Sequence, residues 1–459
     1  MLDWMKDNQD VILKETSSNC TICYQEQLCN ILEFMKDFFD KITQNLTKDL
    51  DELFPGICKK IDFDANFIEQ LVFSGLLVAY RKPYYYAFDL AKAPSRMTGD
   101  SIIEAEAAFQ SRDGFVENFK ENIALIRTRV RDSRLNIKNI SVGRRSKTNV
   151  SIFSIKDIHN EEILKNVIKT IESIDVDAIT NMDDIAVYFQ SKGIFPSYQY
   201  VGSPDLAARR LYNGEFLITA DRISVALVVP VNISIVSKMP IDNLNIPIFT
   251  TLERLLIILS IFMSTAFLGL FASIVTYQSD SLSLTWLSIL KVIQKGVVMP
   301  IYYEIGIVLS LFELFYIIGF RQSKVTLSST VVLIAGLIIG ENLVTSGISS
   351  VFIITFTAVS FLMSFIVSNN TTVLMAISII RIILLISSLY LGVFGLLLAA
   401  IVIVYLMYNQ TLFGVHYFYP FIPFDLNGLV TFFTSSSNNK SNKRDIPLKV
   451  NNKYKKRII

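Results

Sequence analysis

The strongest constraint on the fold is a series of long apolar runs in the second half of the chain. Leu255–Tyr277 contains 23 residues without a charged side chain. A helix of that length spans about 34 Å, which is enough to cross the hydrocarbon core of a bilayer. Charged residues are dense up to Arg254, sparse as far as Asn409, and dense again near the end. The sequence therefore predicts a soluble N-terminal half followed by an all-α, polytopic membrane domain.

The N-terminal half is predicted to be α/β, with two subdomains. β-rich runs at 71–90 and 137–155 flank apolar positions at helical spacing in 115–130. A weak echo between the segments that begin at Ser74-Gly75 and Asn213-Gly214 indicates that the subdomains are related. We expect polar helices in residues 1–60, the first subdomain in 61–165 and the second in 166–245.

The N-terminal half offers few groups for catalysis or metal binding. Cys20-x-x-Cys23 could supply half of a zinc site, but the two histidines of the chain are the distant His159 and His416. The cysteines are therefore expected to be thiols in a reducing compartment. No Ser/His/Asp set or nucleotide-binding pattern is present. We expect no enzymatic activity, no cofactor, no metal and no nucleic-acid partner.

A basic string, Gly143-Arg144-Arg145-Ser146-Lys147, lies between two predicted strands. Cationic side chains together with loop amides favour negative charge, so Arg144, Arg145 and Lys147 are candidates for an anion site or an inter-subunit contact. The alternative is a solvated or salt-bridged loop, which is the commoner role of such runs.

The membrane domain is assigned to residues 246–425, with four to six crossings. Residues 281–295 are amphipathic and predict an interfacial helix. Thr371–Tyr408 would be about 57 Å long as one helix, so a pair of segments that turns between Ser388 and Gly395 is more economical.

Orientation follows from the two ends of the sequence. The tail, residues 426–459, is basic, and the positive-inside tendency places it in the cytoplasm. The first residues show no secretory signal pattern, so the N-terminal half is expected on the same side. The number of complete crossings should then be even.

Charged side chains within the apolar runs are the candidate site residues. Glu304 and Glu313 are nine residues apart, which places them on opposite faces of one helix. Carboxylates at membrane depth cost several kcal/mol, so each should face water, protein or a counter-charge, unless both lie near the interfaces and snorkel. Glu341 follows a Gly-x-x-x-Gly spacing that lets helices approach closely. Arg381 could neutralise Glu313 or Glu341.

Several stretches match a known family in order, from about residue 65 to 425. They include SPDLAARRLYNGEFLITADRISVALVVP at Ser203–Pro230, MPIYYEIGIVLSLFELFYIIGFR at Met299–Arg321, IGENLVTSG at Ile339–Gly347 and FGVHYFYPFIPF at Phe413–Phe424. A further match begins DGFVENFKENIALIRTRV and covers Asp113–Ile152. The chain resembles the A subunit of the GerA-type nutrient germinant receptors of spore-forming bacteria.

The resemblance implies a membrane subunit that works in a complex in the spore inner membrane. Its implied partners are a transporter-like B subunit that binds the nutrient, a lipoprotein C subunit, and further copies of the chain in a ring. The membrane helices of that ring are thought to form a ligand-gated cation channel, which makes Glu304, Glu313, Glu341 and Arg381 candidates for the ion pathway. Position 341 departs from the family, where Gln is expected. A secondary transporter and a non-conducting signalling scaffold of the spore membrane are the alternatives.

Overall fold

The computed structural model of the chain describes most of both halves. The described residues are 8, 10–16, 20–44, 49–92, 97–98, 113–233, 247–277, 297–321, 340–368, 371–433, 448 and 450–452. The N-terminal half contains two five-stranded antiparallel sheets with helices packed on them, and the C-terminal half is helical. The predicted fold class is confirmed.

The first sheet is covered by helices on both faces. Its strands, in the spatial order β1-β2-β4-β5-β3, are β1 Val11–Thr16, β2 Cys20–Gln25, β3 Cys58–Ile61, β4 Leu77–Arg81 and β5 Tyr84–Phe88. The helices are α1 Leu32–Gln44, α2 Leu50–Leu53 and α3 Ala65–Phe73. Successive strand residues point to opposite faces. Ile22 accordingly packs with Phe38 of α1, whereas Cys23 packs with Val72 of α3.

The prediction of polar helices in residues 1–60 is wrong for β1 and β2, which pair with each other and extend the first sheet. β2 is buried on both faces at its inner positions, so it lacks the polar–apolar alternation that marks a half-exposed strand. β1 lies at the edge of the sheet, where Lys14 and Glu15 are exposed. The predicted boundary at residue 60 also falls inside β3, Cys58–Ile61. The first sheet therefore begins about fifty residues earlier in the chain than expected.

The second sheet draws its strands from both predicted subdomains. Two short strands, β6 Met97–Thr98 and β7 Asp113–Gly114, precede it. Its strands, in the order β10-β12-β11-β9-β8, are β8 Leu135–Val142, β9 Thr148–Ile155, β10 Gln199–Val201, β11 Phe216–Ala220 and β12 Ala226–Val229. The associated helices are α4 Phe119–Arg129, α5 Glu161–Glu172, α6 Asp183–Ala186 and α7 Pro204–Asn213. The predicted boundary after residue 165 falls inside α5, and β9 pairs directly with β11 across it.

A buried ion pair joins the first sheet to α4. The guanidinium of Arg127 donates two hydrogen bonds to the carboxylate of Asp10, at 2.7 and 2.8 Å. The same guanidinium donates to Asn8 Oδ1 at 3.1 Å and to the carbonyl oxygens of Asp132 and Leu135, both at 2.9 Å. Neither charged side chain is more than 3% exposed. The pair therefore fixes the start of the first sheet against the second.

The C-terminal half is built from apolar helices. They are α8 Pro247–Thr265, α9 Phe267–Tyr277, α10 Ile301–Arg321, α11 Val351–Val367 and α12 Thr371–Asn409, followed by a two-stranded hairpin (β13 Thr411–Leu412, β14 Val415–His416) and α13 Leu426–Phe433. Within the described residues, α10 and α12 are each long and apolar enough to cross a bilayer, and α8 with α9 makes a third span if the 48° bend between them belongs to one crossing. The expected interfacial helix, 281–295, lies outside the described residues. Four to six crossings stays a prediction.

The turn expected between Ser388 and Gly395 is present in α12. Gly392 has φ +62° and ψ −148°, a conformation that residues other than glycine rarely adopt. A Cβ placed on Gly395 would meet the carbonyl oxygen of Ser387, although residues eight apart in a straight helix are about 12 Å apart. The chain therefore folds back on itself here, and α12 is two packed antiparallel segments.

Candidate functional site in the membrane helices

Glu304 lies in the first turn of α10 and is 1% exposed. Its Oε1 accepts hydrogen bonds from the backbone N–H of Ser350 at 2.5 Å, from the Ser350 hydroxyl at 2.8 Å and from the Ser349 hydroxyl at 3.1 Å. Ser350 is the N-cap of α11, so the carboxylate lies at the positive end of that helix. The geometry gives Glu304 a structural task, which is to tie the start of α10 to the start of α11.

Glu313 and Arg381 form an ion pair inside the helix bundle. Arg381 Nη1 lies 3.4 Å from Glu313 Oε1, and the two side chains are 1% and 14% exposed, respectively. Of the two partners considered for Arg381, the structure selects Glu313. As predicted from their spacing, Glu304 and Glu313 have different partners.

The remaining contacts of Arg381 come from two other helices. Its Nε donates to the carbonyl oxygen of Ser264 at 2.7 Å, and Nη2 donates to the hydroxyl of Ser364 at 2.6 Å. α8 ends at Thr265, so the Ser264 carbonyl belongs to the last turn, where no intrahelical partner is available. The guanidinium also lies 4.0 Å from the centre of the Phe361 ring. Arg381 thus connects α8, α10, α11 and α12.

The serine partners of Arg381 were missed in the sequence. Thr357, Ser360 and Ser364 are buried on one face of α11, and Ser264 is buried on α8. Their spacing of three and four residues in an otherwise apolar helix was the available signal, because small polar residues at that spacing mark helix–helix contacts in membranes. The Ser360 hydroxyl in fact donates to the Ser264 carbonyl at 3.2 Å.

Glu341 has a different environment from the other two carboxylates. It is exposed, at the start of a helical turn formed by residues 340–345, and Asn342 and Thr345 beside it are also exposed. Gly336 of the preceding Gly-x-x-x-Gly spacing lies outside the described residues. Glu341 is therefore accessible on the surface of the single chain.

The end of α12 is joined to the second sheet of the N-terminal half. The Gln410 side chain donates to the Phe195 carbonyl oxygen at 2.5 Å and to the Ser197 hydroxyl at 3.2 Å. Tyr417 stacks on the Phe195 ring at 5.1 Å, and its carbonyl oxygen accepts from the Ile233 N–H at 2.8 Å. These contacts connect the N-terminal half to the C-terminal end of α12.

The basic loop between β8 and β9 is salt-bridged. Arg144 pairs with Asp175, and Arg145 Nε lies 3.6 Å from Asp177 Oδ2. Hydrogen bonding to Arg144 lowers the pKa of the Asp175 carboxyl. These contacts match the alternative of a paired surface loop, since an anion near Arg144, Arg145 or Lys147 would meet two carboxylates. A binding role for the loop stays a prediction.

The four cysteines of the first sheet are buried thiols. Burial raises the pKa of Cys20 to about 11 and those of Cys23, Cys29 and Cys58 to about 12. The thiolate is the form that binds metals, so these values disfavour metal binding. In the part of the chain that the structure describes, no group of three His, Cys, Asp or Glu side chains is placed to hold a metal ion.

Known proteins resemble the chain along most of its length. It is 29% identical to spore germination protein XA of Bacillus anthracis, over 78% of this chain and 73% of that protein. It is 28% identical to spore germination protein B1 of Bacillus subtilis (strain 168), over 81% of this chain and 77% of that protein. The N-terminal domain of the A subunit of the Bacillus megaterium spore germinant receptor GerK3 aligns with a TM-score of 0.36 and 17% identity, covering 50% of this chain and 91% of that domain.

The family comparison covers both halves of the molecule. The model of the Bacillus/Clostridium GerA spore germination proteins matches residues 1–446, a range that includes both sheets and every helix described above. The chain therefore belongs to the GerA family of spore germination proteins, and the resemblance stated from the sequence is confirmed.

Proposed function

We propose that the chain is the membrane subunit of a nutrient germinant receptor and that copies of it form a gated cation pathway. The observation that carries the proposal is Arg381, a buried guanidinium that contacts three other helices and has one carboxylate contact, at 3.4 Å. Ionisable groups inside membrane helices are costly, and those that remain typically mark ion or proton pathways. This part of the molecule has a role in spore germination beyond anchoring the N-terminal half.

In this proposal the Arg381–Glu313 ion pair stabilises the closed state of the pathway. At 3.4 Å, the Arg381–Glu313 contact is longer than the 2.7–2.9 Å typical of strong guanidinium–carboxylate hydrogen bonds. A rotation of α10 against α12 removes the contact and leaves a free carboxylate in the bundle. Such a carboxylate favours cations, as acidic side chains do in cation channels.

Glu304 and Glu341 take different parts in this proposal. Glu304 holds two helices together and is buried, so it is a poor candidate for a water-filled pathway. Glu341 is exposed on the single chain, which supports a position between neighbouring copies in a ring. Of the candidates identified in the sequence for the ion pathway, we therefore propose Glu341, and not Glu304, as a pore-lining residue.

The proposal also covers the partner subunits of the chain and its location in the spore. The chain acts with a nutrient-binding B subunit and a lipoprotein C subunit in the spore inner membrane, with its N-terminal half and tail in the cytoplasm. Leu448 and Val450 of the tail pack into the core of the second sheet, which supports placing both on one side of the membrane. The Gln410 junction gives a route by which a partner bound to the N-terminal half reaches Arg381.

The test is ion flux from sealed vesicles that contain the chain with its B and C partners. Glu341→Lys should lower nutrient-triggered cation release, because a cationic side chain repels cations, and should leave release of a neutral solute unchanged. Glu304→Gln is the control and should conduct like the wild type once expression is equal. Steady solute uptake without ion conductance would replace the channel with a transporter. Germination signalling without flux of either kind would replace it with a scaffold.

A further inference from the structure

A short segment of the tail returns to the N-terminal half. Leu448 and Val450 are 3% and 4% exposed and belong to the core of the second sheet. The backbone N–H of Asn451 donates to the carbonyl oxygen of Ile158 at 3.0 Å. We refer to residues 448 and 450–451 as the docked segment.

The groove that holds the docked segment is formed by two turns of the second sheet. Ile158 lies in the turn between β9 and α5, and Gly214 lies between α7 and β11. Gly214 has φ +98° and caps α7, a position where glycine is favoured. A Cβ on Gly214 would meet a methyl group of Val450 and lie 3.3 Å from the Ile158 side chain. The missing side chain of Gly214 therefore creates the space that Val450 fills.

The docked segment lies beyond the residues that match the family model. That match covers residues 1–446 and so ends before Leu448. Fourteen residues separate Phe433, the end of α13, from Leu448. Fourteen residues span at most about 50 Å, and attachment to the same chain raises the effective concentration of the segment at the groove. Even a groove that binds weakly would be occupied by a segment attached to the same chain.

We infer that the turns around Ile158 and Gly214 form a peptide-docking groove, and that its occupant is the docked segment of this same chain. The recognition chemistry is one backbone hydrogen bond to Ile158 and the two buried apolar side chains of Leu448 and Val450. Docking links the end of the membrane half to the second sheet. The contact holds the tail against the second sheet and does not depend on the ion pathway proposed above.

Hydrogen–deuterium exchange of the full chain in detergent tests the inference. The wild-type amide of Asn451 should exchange slowly, and Val450→Asp should accelerate its exchange by at least about tenfold, the factor that corresponds to a 1.4 kcal/mol loss of protection. The amide of Ile158, which donates to Ile155 and not to the docked segment, reports whether the turn itself remains folded. Val187→Asp is the matched control, because Val187 is 67% exposed on the same half and should leave Asn451 protected.

A peptide experiment completes the test. A synthetic peptide of residues 444–455 should bind the Val450→Asp chain and protect the turns at Ile158 and Gly214, whereas the same peptide with Val450→Asp should not. Leu448→Asp provides a second variant with the same expected result as Val450→Asp. Fast exchange at Asn451 in the wild type, or equal binding of the two peptides, would overturn the inference.

Discussion

Of the arginines that the structure describes, Arg127 in the N-terminal half and Arg381 in the membrane half are the most deeply buried, and their surroundings differ. Arg127 is 0% exposed and Arg381 is 1% exposed. Arg127 makes a bidentate contact with Asp10 at 2.7 and 2.8 Å and donates to three further oxygens. Arg381 has one carboxylate contact, with Glu313, at 3.4 Å and donates to two further oxygens.

The aromatic contacts do not account for this difference. The Arg127 guanidinium lies 4.6 Å from the centre of the Phe73 ring, and that of Arg381 lies 4.0 Å from the Phe361 ring. The distinction lies in the carboxylate. A bidentate pair whose guanidinium donates to three further oxygens favours one geometry strongly, whereas a single long contact leaves a second arrangement within a few kcal/mol. Arg127 is therefore a fixed structural link, whereas the contacts of Arg381 fit the switch proposed above.

The largest effect should come from breaking the fixed link. Asp10→Ala leaves the Arg127 charge buried without its carboxylate, and we expect a loss of about 3–5 kcal/mol in the free energy of unfolding. Thermal unfolding of the full chain in detergent measures it. Glu26→Ala is the control, because its pair with Lys120 is 45–54% exposed and should contribute less than about 1 kcal/mol. Similar losses for the two variants would remove the distinction between a fixed link and a surface pair.

Breaking the Arg381–Glu313 pair should lower stability less than Asp10→Ala does, but it should change ion flux measurably. Glu313→Gln removes the only carboxylate contact that the described residues provide to Arg381. A shift of about 1–3 kcal/mol between closed and open states corresponds to about 5–150-fold more cation leak without nutrient. Vesicle flux before nutrient addition measures this leak, with Ser310→Ala, an exposed position three residues earlier on α10, as the control. A leak equal to that of the wild type would show that the pair does not hold the closed state.

Glu304 shows whether a buried charged residue in the membrane half acts as a structural link or in the ion pathway, because it is buried like Arg127 but lies in the membrane half. Glu304→Gln retains one oxygen but loses the charge that faces the N-terminus of α11, so a loss of about 1–2 kcal/mol in unfolding free energy is expected. Thermal unfolding in detergent should report this loss while ion selectivity in vesicles is unchanged. Altered selectivity with unchanged stability would restore the pore role that the sequence suggested.

Local patterns in the sequence were sufficient for much of the fold. The uncharged runs predicted the helical half, and length alone predicted the turn at Gly392, because a 38-residue helix exceeds the bilayer thickness. β2 was not recognised, since a strand that is buried on both faces shows no alternating pattern, and neither was the edge strand β1 that pairs with it. Their place in the sheet depends on pairing with β4, more than fifty residues later in the chain.

The candidate site was only partly predictable for a similar reason. Glu313 and Arg381 could be identified as ionisable groups in apolar surroundings, but their pairing depends on how two helices pack. Glu304 was assigned to the pathway on charge alone, and its hydrogen bonds with Ser349 and Ser350 require a turn 45 residues away. Charge identifies the candidates in a membrane sequence, whereas burial and partners decide what each one does.

The smallest expected effect is on the free energy of unfolding at alkaline pH. It concerns the buried thiol of Cys58, which carries no charge at neutral pH. Burial raises the pKa of the Cys58 thiol from 9.0 to about 12. Below pH 9 the thiol is protonated in both the folded and unfolded chain, so its contribution to stability is fully present. Between pH 9 and 12 the unfolded chain ionises first, so that contribution falls as the pH rises. The difference in unfolding free energy between the wild type and Cys58→Ala should therefore shrink from pH 8 to pH 10.5 in urea titrations. A constant difference would mean that Cys58 is solvated in the folded chain, and burial at the edge strand β3 would then be weaker than burial around Arg127.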